Sequence, residues 1–255
     1  MTRNTLYSTQ LAKGAGMINE TLAILKVYTP GMTKEALCKF VIDSNYLSTS
    51  TETRAKDIIN RVFYYRYMAS NPSVPAWLKM IREKGLMVSQ MSQLFYIYCA
   101  RENAVLYDFV IEVLNTAKES GRASLTRQEF TDFMHGIVER GEASWSELMQ
   151  KKGGGYIRST LIDYGLLDES NYIQPYDIDD FTVLYLMHEL HFAGLSDMAI
   201  WDHEDWHLFN MNKYDVLAKI MSLSLKGGYI AQTSGDILSI SWTYKSMEEM
   251  IDATL

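Results

Sequence analysis

Only four prolines interrupt this 255-residue chain. Over most of its length apolar residues recur every three or four positions. Proline removes a backbone donor and glycine costs a helix entropy, so the scarcity of the first and the modest supply of the second (15 in all) leave long windows in which a helix can bury one face. The pattern holds until Gly227-Gly228, where the period drops to two. Tyr229 to Gln232, Thr233-Ser234-Gly235-Asp236, and Ile237 to Trp242 read as strand, turn and strand. The expected fold is mainly α: a multi-helix body with an N-terminal helix-turn-helix and a C-terminal winged-helix-like region carrying a small β-hairpin.

The first helix is expected from about Asn19 to Tyr28, stopped by Pro30-Gly31. A short helix from Lys34 to Asp43 follows, with Thr33 as its N-cap and Ala36, Leu37, Phe40 and Val41 on one face. The next starts near Ser48 to Thr51, where Thr49 and Glu52 have capping-box spacing, and buries Ile58, Ile59, Val62, Phe63 and Tyr67. Asn71 to Pro75 reads as a loop. Leu86 to Leu114 reads as a long helix broken near Arg101–Asn103. A helix from Ser124 to about Arg140 comes next. Trp145 to Lys152 and Tyr156 to Tyr164 are then separated by Gly153-Gly154-Gly155. Helices over Asp180–Phe192, Tyr214–Leu225 and Lys245–Ala253 complete the outline. The polar segments suggest three parts: 1–75, 76–172 and 173–255.

Apolar residues make up 47% of the chain, enough for a substantial core. Cys38 and Cys99, isolated in apolar stretches, are expected to be buried free thiols, which points to a reducing compartment. The N-terminus lacks the apolar core of a signal peptide. No run approaches the roughly 18 apolar residues of a membrane span. A cytoplasmic protein without membrane contact is expected.

The net charge of −7 conceals a split. Residues 1–160 hold 20 Lys+Arg and 15 Asp+Glu, whereas residues 161–255 hold 4 and 16. The first part is suited to a polyanion; the acidic end should repel phosphate and suits a protein partner. Within the first part, the helix near residues 50–67 combines cations with neutral hydrogen-bonding groups, as a major-groove recognition helix does. Its candidate DNA-binding residues are Lys34, Ser50, Thr53, Arg54, Lys56, Asn60, Arg61 and Arg66, with Glu52 and Asp57 opposing. Lys151, Lys152 and Arg158 flank the glycine run and extend the basic set. That run lacks the order of a nucleotide-binding loop and is read chiefly as a helix breaker. The hairpin, in an acidic region, is read as structural or protein-contacting.

His188, His191, His203 and His207 gather in the acidic part, between or beside Trp201 and Trp206. Their spacing differs from the zinc-protease helix motif and no CxxC accompanies them, so packing and hydrogen bonding are the expected roles, with neither metal nor cofactor. No nucleophile elbow, dinucleotide fingerprint or kinase signature occurs, and no catalytic residue is assigned.

The opening Tyr7-Ser8-Thr9-Gln10-Leu11-Ala12-Lys13-Gly14-Ala15 with Glu20-Thr21 resembles the start of the BrxA family of BREX phage-defence systems. So do the basic segment Arg54 to Arg66, the segment Trp201-Asp202-His203-Glu204-Asp205-Trp206, and the ending Gly228-Tyr229-Ile230, Gly235-Asp236 and Ile240-Ser241-Trp242. The resemblance implies a helical body with helix-turn-helix or winged elements and double-stranded DNA binding without known catalysis. It also implies action beside the other BREX proteins, among them a methyltransferase, an ATPase and a phosphatase-like protein. The alternatives are a protein-interaction scaffold without direct DNA binding, a metal-dependent enzyme, and a conventional repressor.

Overall fold

The computed structural model describes residues 3–255 and is mainly helical, with one antiparallel hairpin near its C-terminal end. In chain order the helices begin with α1 (Ile18–Val27), α2 (Lys34–Asp43) and α3 (Glu52–Asp57), the last running on as a π-helical stretch, Ile58–Met68. Next come α4 (Val74–Glu83), α5 (Val88–Glu102) and α6 (Ala104–Phe109). A second π-helical stretch, Val110–Asn115, leads into α7 (Thr116–Glu119). Then follow α8 (Arg127–Glu139), α9 (Glu147–Asp163), α10 (Asp180–Phe192), α11 (Asp197–Trp201) and α12 (Lys213–Leu223). Strands β1 (Tyr229–Ser234) and β2 (Ile237–Trp242) precede α13 (Met247–Thr254).

Local chemistry accounts for most of these ends. The Thr33 hydroxyl accepts from the Ala36 N–H at 3.2 Å, capping α2 as expected. The cap of α3 is Thr51, which accepts from the Arg54 N–H at 3.1 Å. The Thr49 hydroxyl instead donates to the Thr51 carbonyl, so the expected Thr49–Glu52 box does not form. A true capping box joins Thr126 and Glu129 at the start of α8. The expected break near residues 101–103 falls at Asn103, extended between α5 and α6. The expected loop over Asn71–Pro75 is shorter than anticipated: α4 begins at Val74, because a helix tolerates proline in its first turn.

The largest correction concerns Gly153-Gly154-Gly155. They do not interrupt a helix; α9 passes through them. A Cβ on Gly154 would lie 2.8 Å from the Phe130 carbonyl oxygen, and one on Gly153 would lie 2.5 Å from Met134 Cε. The glycines let α9 approach α8 closely, and that packing outweighs their helix penalty of roughly 1 kcal/mol each.

The chain divides into two compact units. One comprises Met80–Leu94 with Asp177–Leu255; the other comprises Phe95–Tyr176 with the chain up to Lys79. The second holds an aromatic core. Tyr67 lies 5.2 Å from Phe63, 5.8 Å from Phe95 and 5.7 Å from Tyr98, centroid to centroid, and Phe109 stacks on Phe130 at 4.8 Å. Such ring pairs add to the burial energy.

In the other unit α10 is buried nearly all round. The hairpin runs from Tyr229↔Trp242 to Ser234↔Ile237. Its turn is therefore the two residues Gly235-Asp236, shorter than the expected four-residue turn. Gly235 at φ +60° supplies the positive dihedral that a tight hairpin needs. The free edge of β2 is covered by α11: the Ile240 N–H donates to Asp197 Oδ2 at 2.8 Å and the Leu238 N–H reaches Met198 Sδ at 3.2 Å.

Cys99 is buried, while Cys38 is only partly so, its sulfur accepting from Asn60 Nδ2 at 3.7 Å. Both are free thiols, but the expected burial holds only for Cys99. No helix among the described residues is long and apolar enough to cross a membrane.

Candidate nucleic-acid interface

The basic helix pair exists, but its arginines divide into two groups. Residues 44–51 connect α2 to α3, a longer link than the roughly 3–4-residue turn of a helix-turn-helix. Ile59 and Arg66 are both buried within the π-helical stretch. Arg66 is 4% exposed. Its guanidinium donates to the carbonyls of Gly14 at 2.5 Å, Ala15 at 2.8 Å and Gly16 at 3.2 Å. Arg54 donates to the Lys13 carbonyl at 2.5 Å and approaches Met17 Sδ at 3.7 Å. Tyr164 OH also donates to the Gly16 carbonyl, at 3.0 Å, and the Gly16 N–H donates to Asp163 Oδ2 at 2.8 Å. Two residues expected to meet DNA thus clamp the segment Lys13–Gly16 instead. Arg66 offers no charge to a surface, which corrects its assignment to the basic strip.

The remaining candidates lie outside. Thr53, Lys56 and Arg61 are exposed along the outer side of α3 and its π-helical continuation, with Asn60 half-buried among them. Lys56 Nζ lies 2.6 Å from Glu52 Oε1, and that hydrogen bond raises its pKa. Lys34 Nζ sits 4.7 Å above the Tyr64 ring and 3.6 Å from Glu35. Asp57, feared as a repulsive neighbour, is engaged by Lys13 at 3.0 Å. Arg61 has no partner among the described residues. Ser50 is exposed in the connecting segment.

The second basic set separates along α9. Lys151 and Arg158 line a groove of about 300 Å³ with Arg127, Thr131 and Ser159. Lys152 instead lines a mainly apolar pocket of about 140 Å³ with Met134, Met149 and Tyr156. Arg127 carried no sequence motif, and only its helix-start position next to α9 in space marks it.

In the acidic unit the histidines are spread over different tasks. His188 is fully buried; its Nδ1 lies 2.8 Å from the Leu184 carbonyl, and since a carbonyl only accepts, Nδ1 carries the proton. Burial pushes its pKa down to about 4, and the Trp242 ring lies edge-on at 5.0 Å. His191 stacks on Trp242 at 4.1 Å and is also lowered by burial. His203 Nδ1 accepts from the Asp205 N–H at 3.3 Å. Among the described residues no group of three or more His, Cys, Asp or Glu is placed to hold a metal ion.

A helical body with a C-terminal hairpin and a cation-bearing helical surface defines the class of protein. The BrxA family model matches residues 5–189. The chain therefore belongs to the BrxA family, which associates it with BREX defence systems. In fold it is similar to an uncharacterized protein from Magnetospirillum magneticum known from its crystal structure. The TM-score is 0.60 at 15% identity, over 80% of this chain and 97% of that one. No curated protein matches the chain.

Proposed function

We propose that this BrxA-family protein is a non-enzymatic component of a BREX defence system that binds double-stranded DNA in the cytoplasm, beside the other proteins of that system. The observation that carries the reading is Arg61: an exposed guanidinium without a partner among the described residues, on the outer side of a helix that also presents Thr53, Lys56 and Asn60. Cations there, with Lys34 at the start of α2, suit phosphates along one strand; Thr53, Asn60 and Ser50 are neutral donors and acceptors for the backbone or base edges. Arg54 and Arg66 act indirectly, by holding the segment Lys13–Gly16. Immobilised random duplex should retain the purified protein at low salt, and Arg61→Glu should reduce that retention. Absence of retention at low salt contradicts the reading.

A second reading, a protein-interaction scaffold, draws on α12. Tyr214, Ala218 and Met221 recur at spacings of four and three and are exposed, Tyr214 to 81%; Leu225, 77% exposed, follows in the turn beyond the helix end at Leu223. An open apolar stripe in an acidic unit suits a helical partner of opposite charge. This surface is compatible with DNA binding elsewhere on the chain.

A further inference from the structure

The groove along α8 and α9 differs from the surface of α3 in shape and in charge. It is concave, about 300 Å³, and is lined by Arg127, Thr131, Lys151, Gly155, Arg158 and Ser159, among others. No carboxylate lines it. Elsewhere on this unit several exposed cations are engaged by acids: Lys13 by Asp57 at 3.0 Å, Arg122 by Glu129 at 2.7 Å, and Arg140 by Glu142 at 2.9 Å. Arg127 and Lys151 are exposed and have no partner among the described residues. Two unneutralised cations in one concavity repel each other, and no acid among the described residues pairs with either.

Arg158 completes the arrangement. Its Nε donates to Asn171 Oδ1 and one terminal nitrogen donates to the Glu169 carbonyl, which fixes the guanidinium plane. The other terminal nitrogen makes no hydrogen bond among the described residues. Thr131 and Ser159 add hydroxyl donors, and Gly155 leaves the floor clear, since even a Cβ there would meet nothing within 4 Å. Three cations and two hydroxyls lining one groove offer more donors than the two oxygens of a carboxylate can use, and a phosphate has the additional acceptor oxygens. The volume is at the small end for a ligand site, suited to one phosphate and its sugar.

We propose that this groove seats a phosphate of the nucleic-acid backbone, a second anchoring point besides the α3 surface. The proposal rests on the duplex-binding reading for its source of phosphate, but the groove's affinity for phosphate is tested separately.

The test compares the wild type with Arg127→Gln/Lys151→Gln and with Ser159→Asp, all at exposed positions, by anisotropy of a labelled random duplex across a salt series. In parallel, pyrophosphate is titrated while the backbone amide of Gly155 is followed by NMR. Both variants should keep the wild-type circular dichroism and bind duplex roughly tenfold more weakly, and the double variant should lose about one to two units of salt slope. Pyrophosphate should shift Gly155 in the wild type but not in the double variant. Wild-type duplex binding with unchanged affinity and slope in both variants overturns the groove as an anchor and leaves the duplex reading standing. If the wild type binds no duplex, the duplex reading falls and so does the backbone as source; a Gly155 shift then assigns the groove to free phosphate ligands. No Gly155 shift in the wild type overturns the phosphate seat.

Discussion

The Arg66 guanidinium meets the Gly14 carbonyl oxygen at 2.5 Å, inside the protein. The same group serves Ala15 and Gly16, so one side chain satisfies three carbonyls of a segment that has no regular structure to satisfy them. Arg66→Leu should therefore lower stability by roughly 3–5 kcal/mol, because it strands the Gly14 and Ala15 acceptors, leaves Gly16 with the Tyr164 hydroxyl alone and removes charge-assisted bonds. Arg66→Lys should recover only part of the loss, since an ammonium lacks the planar fork. Chemical denaturation of both variants checks this; a wild-type midpoint for Arg66→Leu would show that the clamp is not needed.

The outer cations should behave in the opposite way. Lys56→Ala with Arg61→Ala is expected to leave the melting temperature nearly unchanged and to weaken duplex binding, with the salt slope falling by about one to two units. Anisotropy at two salt concentrations reads this out. An unaltered slope in the folded variant would remove the α3 surface from the interface.

The glycine run gives a paired prediction. Gly154→Ala should destabilise by roughly 1–3 kcal/mol, because its new Cβ meets the Phe130 carbonyl at 2.8 Å, and a backbone atom moves aside only at a cost. Gly155→Ala, one position on, has open space and should stabilise by roughly 0.5–1 kcal/mol through helix propensity. Thermal melts of the two variants should move in opposite directions; a shift in the same direction would contradict the close packing of α8 on α9.

His188 predicts a pH dependence. Its folded pKa of about 4 lies below the unfolded value of 6.5, because burial disfavours the charged ring. The unfolded chain thus takes up the proton first, so the stabilising effect is complete above pH 6.5 and is lost as the pH falls from there toward 4. The difference amounts to roughly 3 kcal/mol. His191, also lowered by burial, acts in the same direction. Denaturation midpoints across this window should fall with pH in the wild type and fall less in His188→Phe. Equal slopes would show that His188 does not carry the effect.

Much of this was legible in the residues. The 3–4 spacing of Ala36, Leu37, Phe40 and Val41 located α2, and the change of period after Gly228 located the hairpin. The glycine run misled because local propensity was weighed without the partner helix: nothing near residues 153–155 in sequence reveals Phe130 and Met134. Arg66 was different. Positive charge in a basic helix suggested solvent, whereas the carbonyls that Arg66 meets lie about 50 positions away in sequence. The partner of Arg54, the Lys13 carbonyl, lies 41 positions away and leaves no local signature. Arg127 joins Lys151 and Arg158 only once α8 lies against α9.

Docking of the cationic surface on DNA phosphates must show in the salt dependence of duplex binding. Titrating the purified wild-type protein against a labelled random duplex at two salt concentrations tests it most directly. Micromolar or tighter binding that weakens steeply as salt rises is expected, because released counterions drive it. No binding at low salt, or binding indifferent to salt, would contradict it.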